Sequence, residues 1–235
     1  MTLTFFRMLR CKFFLFLAVL TSIGLSSQLH GESDPQAKTT VRFINCVGSD
    51  EPVEFHLNKR STNVVGYAAG KSSGWIGVPP GKKSIRATHP TLGSINFSIS
   101  PSEGESVAII ALQKLIPSVK PGGPSTTKLR YLTLVFPASA EKARNRQIKF
   151  LSVLPVPSVE LVSEGFPPIV LEQFKPKDQP VPAKIGMTAQ FACQEQILAT
   201  LNFEAAPSHA VIIYETLEGS PSAINFHQPE AKGRP

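Results

Sequence analysis

Apolar and polar residues alternate with a period of two in short runs that recur along the chain after residue 40. In the runs 41–44, 53–57, 95–99 and 107–111, every second residue is apolar and falls on one face of an extended chain. Gly, Pro, Ser or Asn bounds each run, which is typical of half-buried strands separated by turns. After the first 31 residues, no run keeps a 3.6-residue period long enough to indicate a helix. The pattern therefore predicts an all-β chain packed as antiparallel β-sandwiches.

The order of these runs occurs twice, which predicts two tandem sandwich modules of the immunoglobulin or prealbumin kind. The offset between the copies is 107 residues at Arg42 and Lys149 (149 − 42) and 103 at Ile109 and Ile212 (212 − 109). A repeat of this length indicates whole folded modules, because solenoid units repeat at about 20–50 residues. The matching landmarks are Val41-Arg42-Phe43-Ile44 with Ile148-Lys149-Phe150-Leu151, Val53-Glu54-Phe55 with Val159-Glu160-Leu161, Val78-Pro79-Pro80 with Val181-Pro182-Ala183, and Ile95-Asn96-Phe97 with Leu201-Asn202-Phe203.

The repeats divide the chain into segments. We assign residues 40–137 to the first module, 138–147 to a junction, 148–227 to a more divergent second module, and 228–235 to a disordered tail. The junction is short and charged, so we expect limited independent motion of the two modules. A large apolar contact between the modules would overturn that expectation.

Residues 1–31 have the order of a secretory signal peptide. Arg7, Arg10 and Lys12 precede the apolar run 13–20, and a stretch of small and polar residues follows. The apolar core is shorter than the roughly 20 residues that span a bilayer, and an uncleaved anchor is the alternative. We therefore predict an extracytoplasmic protein, whether periplasmic, secreted or surface-associated, with no membrane span after signal cleavage.

Charge and cysteine content restrict the classes of partner. Loss of residues 1–31 leaves 21 basic against 17 acidic residues, so the net charge falls from +7 to +4. A mild excess of this size, together with export, argues against nucleic acid as a partner. The remaining cysteines, Cys46 and Cys193, lie at different landmarks of different repeats, and we favour two separate buried thiols over a disulfide bond.

Three segments of the first module, 41–45, 52–55 and 74–81, resemble the bacterial secreted family known as domain of unknown function 4397. The spacing from Arg42 to Glu54 fits that family's pattern, whereas Cys46-Val47-Gly48-Ser49 replaces its small, acidic opening turn. The resemblance extends over about residues 40–227 and is weaker in the second repeat. It implies a bacterial, exported β-sandwich protein, and it implies no activity, because the family's function is itself unknown.

One motif suggests an enzyme. Gly70-Lys71-Ser72-Ser73-Gly74 matches the Gly-x-Ser-x-Gly pattern of serine hydrolases, but that chemistry needs a helix after the serine. The apolar segment 75–78 predicts a strand there, so we favour a hairpin loop and keep an exported serine hydrolase centred on Ser72 as the alternative function. Histidines and aspartates lack metal-binding spacing, and the sequence predicts no catalytic residue, no metal site and no cofactor.

Two further sets of residues are candidates for a role. Trp75, the single tryptophan, is interpreted as packing against the sandwich edge, with a ligand-stacking platform as the alternative. Weak candidates for contact with a ligand are Trp75, Lys82, Lys83 and Arg86. Both repeats also keep a cation and a carboxylate at matching landmarks, which predicts cross-strand ion pairs between Arg42 and Glu54 and between Lys149 and Glu160.

These observations favour a noncatalytic binding or structural module of the bacterial cell envelope. The expected partner is an envelope polymer or another envelope protein, contacted by loops or exposed sheet edges. The identity of that partner does not follow from the residues.

Overall fold

The computed structural model describes residues 39–120, 122–137, 147–181, 188–193, 195–202 and 208–228. These residues contain sixteen β-strands and no helix, so the predicted all-β fold of two sandwich modules is confirmed. The strands belong to one compact unit, Ala37–Pro235. The predicted signal peptide at 1–31, most of the junction and residues 229–235 of the tail lie outside the described residues.

Eight strands form the first module as two four-stranded sheets. The inner sheet has the order β4-β1-β7-β8 and the outer sheet the order β3-β2-β5-β6. The strands are β1 (Thr40–Asn45), β2 (Glu54–Leu57), β3 (Arg60–Ser61), β4 (Ile76–Gly77), β5 (Lys83–His89), β6 (Gly93–Ile99), β7 (Ser106–Ile116) and β8 (Thr126–Phe136).

Eight further strands form the second module with the same topology. Its inner sheet has the order β12-β9-β15-β16 and its outer sheet the order β11-β10-β13-β14, so every strand of the first module corresponds to the strand numbered eight higher. The strands are β9 (Gln147–Ser152), β10 (Ser158–Ser163), β11 (Phe166–Glu172), β12 (Lys177–Pro180), β13 (Thr188–Cys193), β14 (Gln196–Asn202), β15 (Ser208–Glu215) and β16 (Pro221–His227).

The sheets are mixed rather than wholly antiparallel, which corrects part of the sequence prediction. In each inner sheet the first strand runs parallel to the seventh, so that Phe43 lies beside Ile109 and Phe150 beside Val211. The other named pairs are antiparallel. A parallel pair needs a long crossover connection, and the strands of the outer sheet provide it in both modules.

Each module has its own core between its inner and outer sheets. In the first module, Phe43, Phe55 and Ile85 are wholly buried in this core, and in the second Phe150 and Phe191 are. These residues alternate with side chains that point out of the sandwich, as the period of two predicts.

A third core joins the two modules. The faces of the inner sheets that point away from their own modules pack against each other, and their residues are buried as one cluster. The expectation of limited independent motion is therefore wrong. The members of this inter-module core include Ile44, Cys46, Ala108, Ile110, Leu112, Leu134, Phe136, Leu151, Val153, Ala210, Ile212, Tyr214, Ile224 and Phe226.

The inter-module core explains the composition of the central strands. From Ser106 to Leu112, every residue of β7 is buried, because odd-numbered residues face the module core and even-numbered residues face the second module. A strand covered on both faces reads as a continuous apolar run rather than as an alternation. The described strands thus form four stacked sheets with three apolar layers between them. Among the described residues, no helix is long and apolar enough to cross a membrane.

Candidate binding surface

The loop that carries the Gly-x-Ser-x-Gly motif lies against strand β1. Ser72 forms an isolated bridge with Ile44, and its Oγ accepts a hydrogen bond from Nη2 of Arg42 at 2.8 Å. A guanidinium stays protonated at ordinary pH and cannot act as a general base. The side-chain partner of Ser72 among the described residues is therefore a hydrogen-bond donor, and it is not a group that could accept the proton of the serine.

The first glycine of the motif is required by packing. Gly70 has a φ of 73°, and a Cβ built on it would overlap the hydroxyl oxygen of Tyr214 in the second module. By contrast, a Cβ on Gly74 would meet nothing within 4 Å. Gly70 thus leaves room for the side chain of Tyr214, and Ser72 accepts a hydrogen bond from Arg42. Both residues therefore support the contact between the two modules.

Arg42 is a half-buried cation in the inter-module layer. Its Cζ lies 4.7 Å from the ring centroid of Phe226 and 5.8 Å from that of Trp75. Burial lowers the pKa of the Arg42 guanidinium, and its Nε is buried without a hydrogen-bond partner among the described residues. A cation over aromatic rings contributes about 1–2 kcal/mol when partly desolvated, which helps to offset the burial of this charge.

The predicted ion pair between Arg42 and Glu54 is wrong. Their strands, β1 and β2, belong to different sheets that face each other across the first module's core. Since Phe43 and Phe55 point into that core, Arg42 and Glu54 point out of opposite sides of the sandwich. Matching landmarks in a repeat do not indicate neighbouring strands, and that assumption produced the error.

Lys149, the counterpart of Arg42, has a different partner from the one expected. It lies beside Asp178 in the β9–β12 register, and its Nζ is 2.8 Å from Oδ1 of that residue. Glu160 lies on the outer sheet, opposite Val170, so the predicted pair between Lys149 and Glu160 is also wrong. The β12 sequence, Lys-Asp-Gln-Pro, has no apolar alternation, and this strand therefore gave no signal in the sequence.

Trp75 joins the two modules. Its ring contacts Phe136 and Phe226 edge-on, with centroids 6.0 and 5.9 Å away. Its Nε1 donates a hydrogen bond to the carbonyl oxygen of His227 at 2.9 Å. Trp75 therefore packs at the edge of its own sandwich, as the sequence predicts, and against the last strand of the other module as well.

The three basic candidates on β5 and the turn before it do not converge. Lys83 is buried, and its Nζ donates to the carbonyl oxygens of Pro80 and Lys82 at 3.2 and 3.5 Å. Lys82 and Arg86 are exposed, since they lie on the opposite face of the strand from Lys83. Lys83 therefore closes a turn, and only Lys82 and Arg86 are accessible to a ligand.

The two cysteines are free thiols in different cores. Cys46 belongs to the inter-module core and Cys193 to the core of the second module. Burial raises the pKa of both thiols, which disfavours the reactive thiolate form.

The β7–β8 hairpin departs from the repeat because it is longer than its counterpart. In the second module, β15 and β16 pair as far as Glu215 opposite Pro221. The equivalent pair in the first module is Gln113 opposite Leu129, and the β7–β8 ladder continues for three more pairs, to Ile116 opposite Thr126. The prolines and glycines of 117–124 predict a loop, and the residues on either side of it are regular strand.

This extension carries a concentration of positive charge. Lys114 lies directly opposite Lys128, and Arg130 is the next residue along on the same face of β8. All three side chains are exposed, as is Lys120 in the connecting loop. Residues 106–140 include no Asp or Glu, and no salt bridge between described residues involves these cations. Like charges directly opposite each other weaken a strand pair. Lys114 contacts the ring of Phe174, whereas Lys128 and Arg130 have no such ring contact among the described residues.

Apolar side chains are exposed at the end of the same hairpin. Val119 is fully exposed and Leu115 is 61% exposed. An open groove of about 480 Å³ lies beside them, where Lys114 is 5.4 Å from the ring centroid of Phe174. We call the described residues of the extension and its loop, 114–120 and 122–128, the hairpin tip.

A second open groove, of about 540 Å³, lies on the second module. Apolar residues such as Leu154 and Val159 line it together with the carboxylates of Glu160 and Glu215. Among the described residues, no group of three or more His, Cys, Asp or Glu is placed to hold a metal ion. Among the described residues, the hairpin tip therefore combines exposed apolar side chains with cations that have no acidic partner.

The sequence matches no protein-family model and no curated protein, so the resemblance to domain of unknown function 4397 stays a prediction.

Proposed function

We propose that this chain is a noncatalytic, exported binding protein of the bacterial cell envelope. Its two modules form a single scaffold, and the hairpin tip is the element that contacts the envelope. The observation that carries the proposal is the β7–β8 extension, in which Lys114 and Lys128 oppose each other without a counter-ion among the described residues.

The residues at matching positions of the two repeats support a structural role, rather than a binding role, outside the hairpin tip. Arg42 and Lys149 both lie against aromatic rings of the opposite module, and Ser72 serves as a hydrogen-bond acceptor for Arg42. These contacts account for the features of the sequence that resembled a site. The hairpin tip is not needed for them, which is why we assign it the binding role.

Retention by isolated bacterial cell envelopes tests the proposal. The protein is mixed with washed envelopes, which are sedimented, and the bound fraction is measured at several protein concentrations. The test variant is Lys114→Gln with Lys128→Gln, and the matched control is Lys82→Gln with Arg86→Gln, which removes the same charge from another exposed surface. We expect the wild type and the control to be retained and the test variant to be released. Equal retention of all three proteins would refute the assignment to the hairpin tip.

A further inference from the structure

We infer that the hairpin tip is a docking surface for an anionic phospholipid membrane. The inference rests on the proposed binding function and specifies its partner. It is carried by the combination of exposed apolar side chains at the end of the hairpin and cations behind them that have no acidic partner among the described residues.

The exposed apolar residues lie at the end of the hairpin, which is the part that would enter the membrane. Leu115 and Val119 are exposed at and beyond the last strand pairs, outside all three apolar layers of the fold. A soluble acidic polymer would be bound by the cations alone and would leave these side chains in water. The boundary between headgroups and acyl chains buries apolar side chains and lies next to negative charge.

The spacing of the cations fits that arrangement. Lys114 and Lys128 lie two residues behind the last pair, Ile116 and Thr126. At about 3.4 Å per residue, the charges are roughly 7 Å behind the end of the ladder. Apolar faces of peripheral proteins insert by about 5–10 Å, so the lysines would reach the phosphates when the tip is inserted.

Vesicle sedimentation with the full chain tests the inference. The vesicles consist of phosphatidylcholine alone, or of phosphatidylcholine mixed with phosphatidylglycerol. We expect the wild type to bind the anionic vesicles only, and to bind them more weakly as the salt concentration rises.

Two variants separate charge from insertion. Lys114→Gln with Lys128→Gln should weaken binding about 30-fold, since each lysine near an anionic surface contributes about 1 kcal/mol and 1.4 kcal/mol is tenfold. Leu115→Ser with Val119→Ser should weaken it by about tenfold or more, while Lys82→Gln with Arg86→Gln should bind as the wild type does. All six substituted residues are exposed, so an unchanged melting temperature confirms that each variant is folded.

Three outcomes would overturn the inference. The first is equal binding to neutral and anionic vesicles, and the second is wild-type binding by the Leu115→Ser, Val119→Ser variant. The third is absence of vesicle binding with tight binding to heparin, which would identify a soluble polyanion as the partner. If envelopes retain the protein through Lys114 and Lys128 but vesicles do not, the proposed function stands and the membrane inference fails. If neither retains it, both fail.

Discussion

The inter-module core predicts that the two modules unfold together, and one pair of neighbouring residues tests this. Ile109 and Ile110 are adjacent on β7, carry the same side chain and are both wholly buried. Ile109 faces the core of the first module, whereas Ile110 faces the second module. Replacing each by alanine therefore probes the two layers with the same change in chemistry.

The expected cost is similar at both positions. Isoleucine to alanine removes three carbons, worth about 2.4 kcal/mol at roughly 0.8 kcal/mol per carbon. Any cavity that remains adds to this, so that such substitutions cost about 2–5 kcal/mol. In a cooperative unit of this size, 1 kcal/mol shifts the melting temperature by about 2–4 °C. A loss of about 3 kcal/mol thus lowers it by about 6–12 °C.

Urea unfolding followed by circular dichroism, together with scanning calorimetry, measures both quantities. We expect a single transition in the wild type and a comparable loss of unfolding free energy for Ile110→Ala and Ile109→Ala. Two separate transitions would show that the modules are independent and would refute the reasoning. The same conclusion would follow if Ile110→Ala lowered the unfolding free energy by less than about 1 kcal/mol while Ile109→Ala lowered it by the expected amount.

Three further predictions concern single residues. Gly70→Ala should destabilise the protein, because the new Cβ meets the Tyr214 hydroxyl at a positive φ, whereas Gly74→Ala should leave urea unfolding unchanged; equal effects would contradict the packing role. His89 accepts hydrogen bonds at Nδ1 from backbone N–H groups, and burial lowers its pKa below the ordinary value of 6.5 despite the opposing effect of a nearby carboxylate. The unfolded chain then binds the proton more readily, so stability should fall as the pH drops through about 6.5, and His89→Asn should lessen the pH dependence of urea unfolding. Trp75 bridges the modules, so its fluorescence should change at the same urea concentration as the circular dichroism, and an earlier change would indicate separation before unfolding.

The period-two pattern was sufficient to predict strands, modules and the faces of the module cores. Val53 and Phe55, for example, are buried in the first module's core, as their alternation indicates. The duplication predicted the repeated order of the strands, since a shared order of apolar landmarks requires a shared packing. The period-two pattern therefore predicts well the apolar core that lies between the two sheets of each module.

The inter-module core was missed, although the sequence carries a signal for it. The run Val107–Leu112 is apolar at every position, and so is 210–213. In a strand with one solvent-exposed face, apolar and polar residues would alternate. An unbroken apolar run indicates that both faces of the strand are buried. Matching the two repeats hides this signal. The matched positions show what the two copies share, and they do not show what each face of a strand contacts.

The hairpin tip was missed for a different reason. The prolines and glycines of 117–124 indicate a loop, and the sequence does not show that the residues on either side of it are paired. The charges on Lys114 and Lys128 become meaningful only when the register places them opposite each other. Strand register depends on turn geometry and on the neighbouring strands, so the distance between these two lysines could not be read from their spacing in the chain.

The reciprocity of the inter-module contacts has a consequence for how such a chain arises. Arg42 on the first strand of one module lies over Phe226 on the last strand of the other, and Lys149, its counterpart, lies 6.0 Å from Phe136 on the last strand of the first. Contacts exchanged in this way are those of a two-fold dimer. The packing of the two modules thus resembles that of two subunits in a homodimer, and an isolated half, with one apolar sheet face uncovered, is expected to associate with itself.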